Sequence, residues 1–205
     1  MLFQVVLGWL TILRSMARRM NMMFKRSLIF YVFFSFPLFA ADDEICPTKA
    51  IDMPASTPSA QFDFEQDGDV VTDLKTGLMW TRCPWTYTWD ASNRTCVGDA
   101  VTGRMNWKSA LTIADDNNVS DAAFLDYQDW RLPNIKELAS IVERKCAEFS
   151  INHVVFGESG AGVYWSNTHV LGKTDIRMVD FRSGTLGVTS PTSEKLLRLV
   201  RTVTP

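Results

Sequence analysis

The chain has 205 residues, 46% of them apolar and 21% charged, with a formal charge of −2: the proportions of one globular domain with a real core. That composition excludes disorder over most of the length. It also lacks the basic excess of a nucleic-acid-binding domain, so no nucleic-acid partner is expected.

Lys25 and Arg26 precede an uncharged run from Ser27 to Ala41 that is dense in Phe, Leu, Ile and Val and ends on Ala40-Ala41. This is the pattern of a secretion signal, and residues 1–41 are read as one. The run is shorter than the roughly 20 residues that cross a bilayer and carries Pro37, so no stable membrane span is expected after cleavage. A second apolar stretch, Met1 to Leu13, lies ahead of Arg14, Arg18 and Arg19, while Met20, Met22 and Met23 stand directly before the signal. The true start is expected at one of these three methionines. The rival, a two-helix membrane hairpin, requires two unusually short spans. Cys46 follows Asp42, Asp43, Glu44 and Ile45 rather than the small residues, which disfavours lipid anchoring. Residues 1–41 hold five Lys or Arg and no acid, so the mature chain carries sixteen basic against twenty-three acidic residues, a formal charge of −7.

Cys46, Cys83, Cys96 and Cys146 all follow the signal, and an even count in an exported chain predicts two bridges. Cys83 and Cys96 bracket a short loop and are paired with each other, which leaves Cys46 for Cys146 at the end of a helix. Zinc is disfavoured, because no C-x-x-C spacing exists and His153 and His169 sit near no cysteine.

Residues 42–61, with Pro47, Pro54 and Pro58, show no periodicity and read as an arm held by Cys46. Val70-Val71-Thr72 and Leu78-Met79-Trp80 flank Asp73 to Gly77, which supplies turn chemistry for a β-hairpin. Asn106 caps a helix with Trp107, Ala110, Leu111 and Ala114 inward, ended by Asp115-Asp116-Asn117-Asn118. Asn134 and Glu137 form a capping-box pair for a second helix whose stripe is Ile135, Leu138, Ile141 and Val142, with Pro133 just before it. Beyond Cys146 the period becomes two: Val163 to Trp165, Ile176 to Phe181, Leu186 to Val188 and Leu196 to Val203 read as strands, with a turn at Ser183-Gly184. The expected fold class is α+β, two helices packed on a mostly antiparallel sheet with long loops.

Asp129-Trp130-Arg131-Leu132-Pro133-Asn134, followed by Lys136-Glu137-Leu138, resembles the Lcl C-terminal domain family, named for a bacterial collagen-like adhesin. Val71-Thr72-Asp73 with Thr76 to Trp80, Trp107 with Ala110-Leu111, Ile151-Asn152, Tyr164-Trp165-Ser166, Val179-Asp180-Phe181 with Gly184, and Arg198 to Arg201 agree in order. The resemblance spans about Phe62 to Val203, so residues 62–205 form the domain. It implies a C-type-lectin-like fold, a bacterial surface, periplasmic or secreted location, and adhesion, which for the namesake runs through sulfated polysaccharide. It brings no enzyme activity. The namesake's collagen-like stalk is absent from this sequence.

In the Cys83–Cys96 loop, Trp85, Tyr87 and Trp89 are the expected stacking residues for a glycan. Trp130 and Arg131 offer an apolar face and a forked donor, against a structural reading in which they brace the helix start. Asn134, Glu137 and Trp165 are read as structural, as are Arg198 and Arg201, one of which is expected to point inward onto an acid such as Asp129, Glu137 or Asp180. Residues 171–205 carry six basic against three acidic side chains, so a polyanion would bind near Lys173, Arg177, Arg182 and Lys195. The competing reading is a charged edge that discourages aggregation. Asp115 to Asn118 supply oxygen ligands suited to calcium, but they also make an ordinary loop; no cofactor is assigned.

With two histidines and no nucleophile–base pairing, no catalytic residue is assigned and no enzyme is expected. Formylglycine-generating enzymes share the lectin-like fold but use reactive cysteines, which bridges would consume here. The expected function is an extracytoplasmic binding module for a glycan or a cell-surface protein. Its rival is an envelope or pilus-like assembly subunit with protein partners only.

Overall fold

The computed structural model describes residues 45–65, 68–99, 103–119, 124–157 and 162–203. The signal, the start methionines and the first residues of the arm lie outside these. The described chain is α+β, with mostly antiparallel sheets and few helices. No helix among the described residues is long and apolar enough to cross a membrane.

One sheet runs β1 (Phe62–Phe64), β2 (Val70–Asp73), β3 (Leu78–Thr81) and β11 (Val200–Thr202), in that order and antiparallel throughout. The β2–β3 hairpin forms as expected. Its turn is closed by Asp73, fully buried, whose carboxylate accepts from Lys75 N, Thr76 Oγ1 and Gln61 Nε2.

The second sheet is ordered β6 (Arg104–Met105), β10 (Lys195–Leu196), β7 (Val163–His169), β8 (Ile176–Asp180), β9 (Thr185–Thr189). Only the short β10–β7 contact is parallel among the described strands. A separate hairpin pairs β4 (Thr88–Asp90) with β5 (Thr95–Val97).

Alternation along the strands divides the interior in two. Val71, Leu78, Trp80, Tyr164, Val179 and Val200 enter one apolar cluster with Leu138, Ile141 and Phe156. Val70, Met79, Trp165 and Ile176 enter the other, with Ala110, Ala114 and Trp130. Successive strand residues point to opposite faces, so strands covered on both sides read as short continuous apolar runs.

Helix α1 (Trp107–Val119) is capped by Asn106, whose Oδ1 accepts from Ser109 N at 2.9 Å. It continues through Asp115 to Asn118, so that run lies within the helix and does not end it as expected. Helix α2 (Ile135–Ser140) carries the full capping box: Asn134 accepts from Lys136 N and Glu137 N, and Glu137 accepts from Asn134 N. It is shorter than its apolar stripe, because Ile141 is already the C-cap; Ile141 and Val142 are buried from the loop that follows. Cys146 therefore ends no helix. It sits in a lone bridge opposite Ala50. The sequence reading missed the short helix α3 (His153–Phe156), the β4–β5 hairpin and the short strands β1 and β6. The expected single strand from Leu196 to Val203 is broken, with Leu197, Arg198 and Leu199 outside any strand yet buried on all sides.

Both disulfides pair as expected, Cys46–Cys146 and Cys83–Cys96, which accounts for all four cysteines of the sequence. Such bridges belong to an oxidising compartment. The arm is held by more than its bridge. The fully buried Glu143 carboxylate accepts from Ser56 N (2.9 Å), Thr57 N (2.7 Å), Lys145 N (2.8 Å) and the Ser56 and Thr57 hydroxyls. Burial pushes this carboxyl upward, but the donors of Lys145, Ser56 and Thr57 outweigh it and leave its pKa below the ordinary value.

Candidate functional site

A concavity opens at the start of the disulfide-closed loop. It encloses about 320 Å³, at the small end of ligand sites, and its walls are Pro84, Trp85, Tyr87, Phe124, Leu125 and Leu199. The Trp85 and Phe124 rings meet at 5.3 Å between centroids, and Trp85 N donates to Leu197 O at 2.8 Å. Tyr87 is set by glycine neighbours: a Cβ at Gly98 or Gly103 would lie 2.6 Å or 3.1 Å from its ring. Burial raises the Tyr87 phenol pKa, with the Asp99 charge acting the same way, so it stays protonated at neutral pH.

Polar groups in the lining are Asp69 and the hydroxyl residues Thr81, Thr86 and Thr88. Asp69 is the one carboxylate in the lining, which holds no basic side chain. Its Oδ1 accepts only a long bond, 3.4 Å, from Trp89 N. Backbone strain gathers here as well. Thr86 (φ 73°) and Leu125 (φ 48°) line the pocket and Asp126 (φ 65°) adjoins it, all in the left-handed region that side chains other than glycine avoid.

Of the aromatic trio expected from the loop, Trp85 and Tyr87 line this pocket and Trp89 does not. Trp89 is a packing residue. The Arg82 guanidinium stacks 3.4 Å from its ring centroid, and Cβ atoms at Gly68 or Gly157 would each come within 3.0 Å of its indole. Arg82, which the sequence reading missed, donates to Val155 O (2.6 Å), Gly68 O (3.0 Å) and Val154 O (3.1 Å). Burial brings its pKa down to about 10, opposed by the Asp69 charge. Nothing local in the sequence marks Arg82; its partners are 14 and 72–73 residues away.

Trp130 and Arg131 are both taken up by contacts within the fold. Trp130 is fully buried, with Nε1 donating to Phe124 O at 2.7 Å. Arg131 commits both ends of its fork to Glu137 at 2.8 Å, and its backbone bridges Val200. The motif thus braces helix α2 against strand β11. Trp165 is likewise buried, held by Met105 O at 2.8 Å.

Arg198 is the inward-pointing arginine, but no acid among the described residues meets it. Fully buried, it donates through Nη1 to Thr81 O (2.6 Å) and Arg82 O (2.5 Å), and its guanidinium lies over the Phe156 and Tyr164 rings. Burial depresses its pKa, opposed by Tyr164. The expectation of a buried carboxylate is corrected: carbonyls and ring faces meet the cation instead, and its buried Nε has no hydrogen-bond partner among the described residues. Arg201 takes the acid, pairing with Asp129 at 2.5 Å over the Tyr127 ring.

None of the four basic candidates for a polyanion lines the pocket. Lys173 and Arg177 are exposed, before and on β8, while Lys195 is half-buried on β10. Arg182 is exposed but engaged by Asp180 at 2.6 Å, a pairing that holds the Asp180 carboxyl below its usual pKa. Among the described residues no group of three or more His, Cys, Asp or Glu is placed to hold a metal ion.

The family model of the Lcl C-terminal domain matches residues 69–201. The chain belongs to that family. No curated protein matches the chain. The Lcl C-terminal match begins at Asp69 on the pocket rim and ends within β11, so it covers the described pocket lining and both sheets except β1, and leaves out the arm clamped by Glu143.

Proposed function

We propose that this Lcl C-terminal domain is an extracytoplasmic binding module of C-type-lectin-like fold that takes a sugar ring of a surface glycan between Trp85, Tyr87 and Phe124, and performs no chemistry on it. The observation that carries the reading is the pocket itself: aromatic walls for the apolar face of a ring, with Asp69 and Thr86 in the lining for its hydroxyl groups, while the Thr81 and Thr88 hydroxyls bond Leu199 N and Val97 O. Its volume suits one ring better than an extended chain. With Asp69 its one carboxylate and all four basic candidates elsewhere, the pocket favours neutral over sulfated sugars.

The test is a glycan array on the oxidised, folded domain, followed by calorimetry on any sugar bound. Trp85→Ala should weaken binding by about ten-fold, the worth of one aromatic contact, without lowering thermal stability comparably. Trp89→Ala should do the reverse. Folded protein that binds nothing on the array, while co-purifying with envelope proteins, would sink the proposal in favour of an assembly subunit.

A further inference from the structure

Strand β9 (Thr185–Thr189) ends the five-stranded sheet and has no neighbour on its far side among the described residues. The other edges of the two larger sheets are blunted. Edge strand β6 has two residues, one of them Arg104, β1 has three and carries Asp63, and β11 is met by Arg131. β9 has five residues, no charge and no proline, and it exposes Leu186 (52%) and Val188 (51%). Edge strands in natural sheets are normally protected by charges, proline, bulges or brevity, and an unprotected edge is a template for pairing.

The sequence of this edge also names the partner. Thr185-Leu186-Gly187-Val188-Thr189 reads nearly the same in both directions about Gly187. Antiparallel pairing of two copies centred there sets Thr185 opposite Thr189 and Leu186 opposite Val188, on both sides of the two-fold axis. Threonine–threonine and aliphatic cross-strand pairs are the favourable kind, and no like charges face each other. Met178 packs where a Gly187 side chain would stand, which leaves the centre of the strand flat.

We infer that β9 is the interface through which two copies of this domain associate, edge to edge, into one continuous sheet with two-fold symmetry. The contact supplies roughly four to six main-chain hydrogen bonds and covers the four aliphatic side chains. An interface this small lies at the weak end of specific association, so the dimer should be concentration-dependent in the micromolar range. It does not depend on the glycan reading.

Sedimentation equilibrium of the oxidised mature chain, from about 1 to about 500 μM, brackets that range. The wild type should pass from monomer to dimer, and amide exchange at Thr185–Thr189 should slow as concentration rises. Val188→Lys should raise the dissociation constant at least about ten-fold, with unchanged circular dichroism. Leu186→Lys serves as the second variant should Val188→Lys fail to fold. A monomer throughout the range overturns the proposal. So does a dimer whose β9 amides are unaffected by concentration, or one that persists unchanged in the folded lysine variant.

Discussion

Replacing Glu143 by glutamine tests the claim that one buried carboxylate fastens the N-terminal arm. Its Oε2 accepts from Thr57 N at 2.7 Å and Thr57 Oγ1 at 2.8 Å, while Oε1 accepts from Ser56 N, Ser56 Oγ and Lys145 N. A glutamine keeps one acceptor oxygen and turns an NH₂ donor toward the other set. Even with the amide in its better orientation, the buried Thr57 N–H loses its acceptor, and the remaining bonds lose their charge assistance. The expected cost is about 3 kcal/mol, from one orphaned buried donor and several weakened charged bonds. In a domain of this size that is about 6–12 °C in Tm. If the arm opens locally instead, held by Cys46–Cys146, exchange at Ser56 and Thr57 should accelerate about 100-fold. The sign with pH is fixed. The folded pKa of Glu143 lies below its unfolded value, so the contribution is complete above the unfolded value near about 4.3 and is lost as pH falls through the folded one. Urea melts and hydrogen exchange on both proteins at pH 7, and melts repeated toward pH 3, measure this. A gap under about 0.5 kcal/mol with unchanged exchange at pH 7, or a gap that does not narrow on acidification, would refute the reasoning.

Arg198→Met should cost about 2–4 kcal/mol in urea melts, because the Thr81 and Arg82 carbonyls lose their buried donor; a neutral outcome would mean that the ring faces alone carry this site. Removing Cys83–Cys96 by paired serine substitution should destabilise by about 3 kcal/mol, and removing Cys46–Cys146, which closes a far longer loop, by about 4–5 kcal/mol. The reverse order by denaturant titration would show that residual structure in the unfolded chain dominates. Gly157→Ala should lower Tm measurably, since φ is +68° and the new Cβ would sit 3.0–3.1 Å from Trp89 and the Thr95–Cys96 backbone; unaltered melting would show that this junction yields easily.

Features legible from the sequence were those whose partners lie within a few residues. The Asn134–Glu137 capping box, the Asn106 cap, the Asp73–Gly77 turn and the Cys83–Cys96 closure depend on local geometry that the residue types dictate. The strand–strand–helix–helix–strand order and the α+β class follow from hydrophobic period, which reports which residues must leave water. Tertiary structure decided everything that turned on what a buried group meets. Alternation placed an arginine inward, but whether Arg198 finds an acid or carbonyls depends on Thr81 and Arg82, more than 110 residues away. Nothing local in the sequence singled out Glu143, because its donors come from the arm, 86–87 residues away. The aromatic loop was visible as a candidate, yet only the packed fold separated Trp85 and Tyr87 at the pocket from Trp89 beneath Arg82. Burial creates the demand for a partner and the sequence declares that demand. Which distant group answers it is set by the long-range packing of the two sheets, which no local pattern encodes.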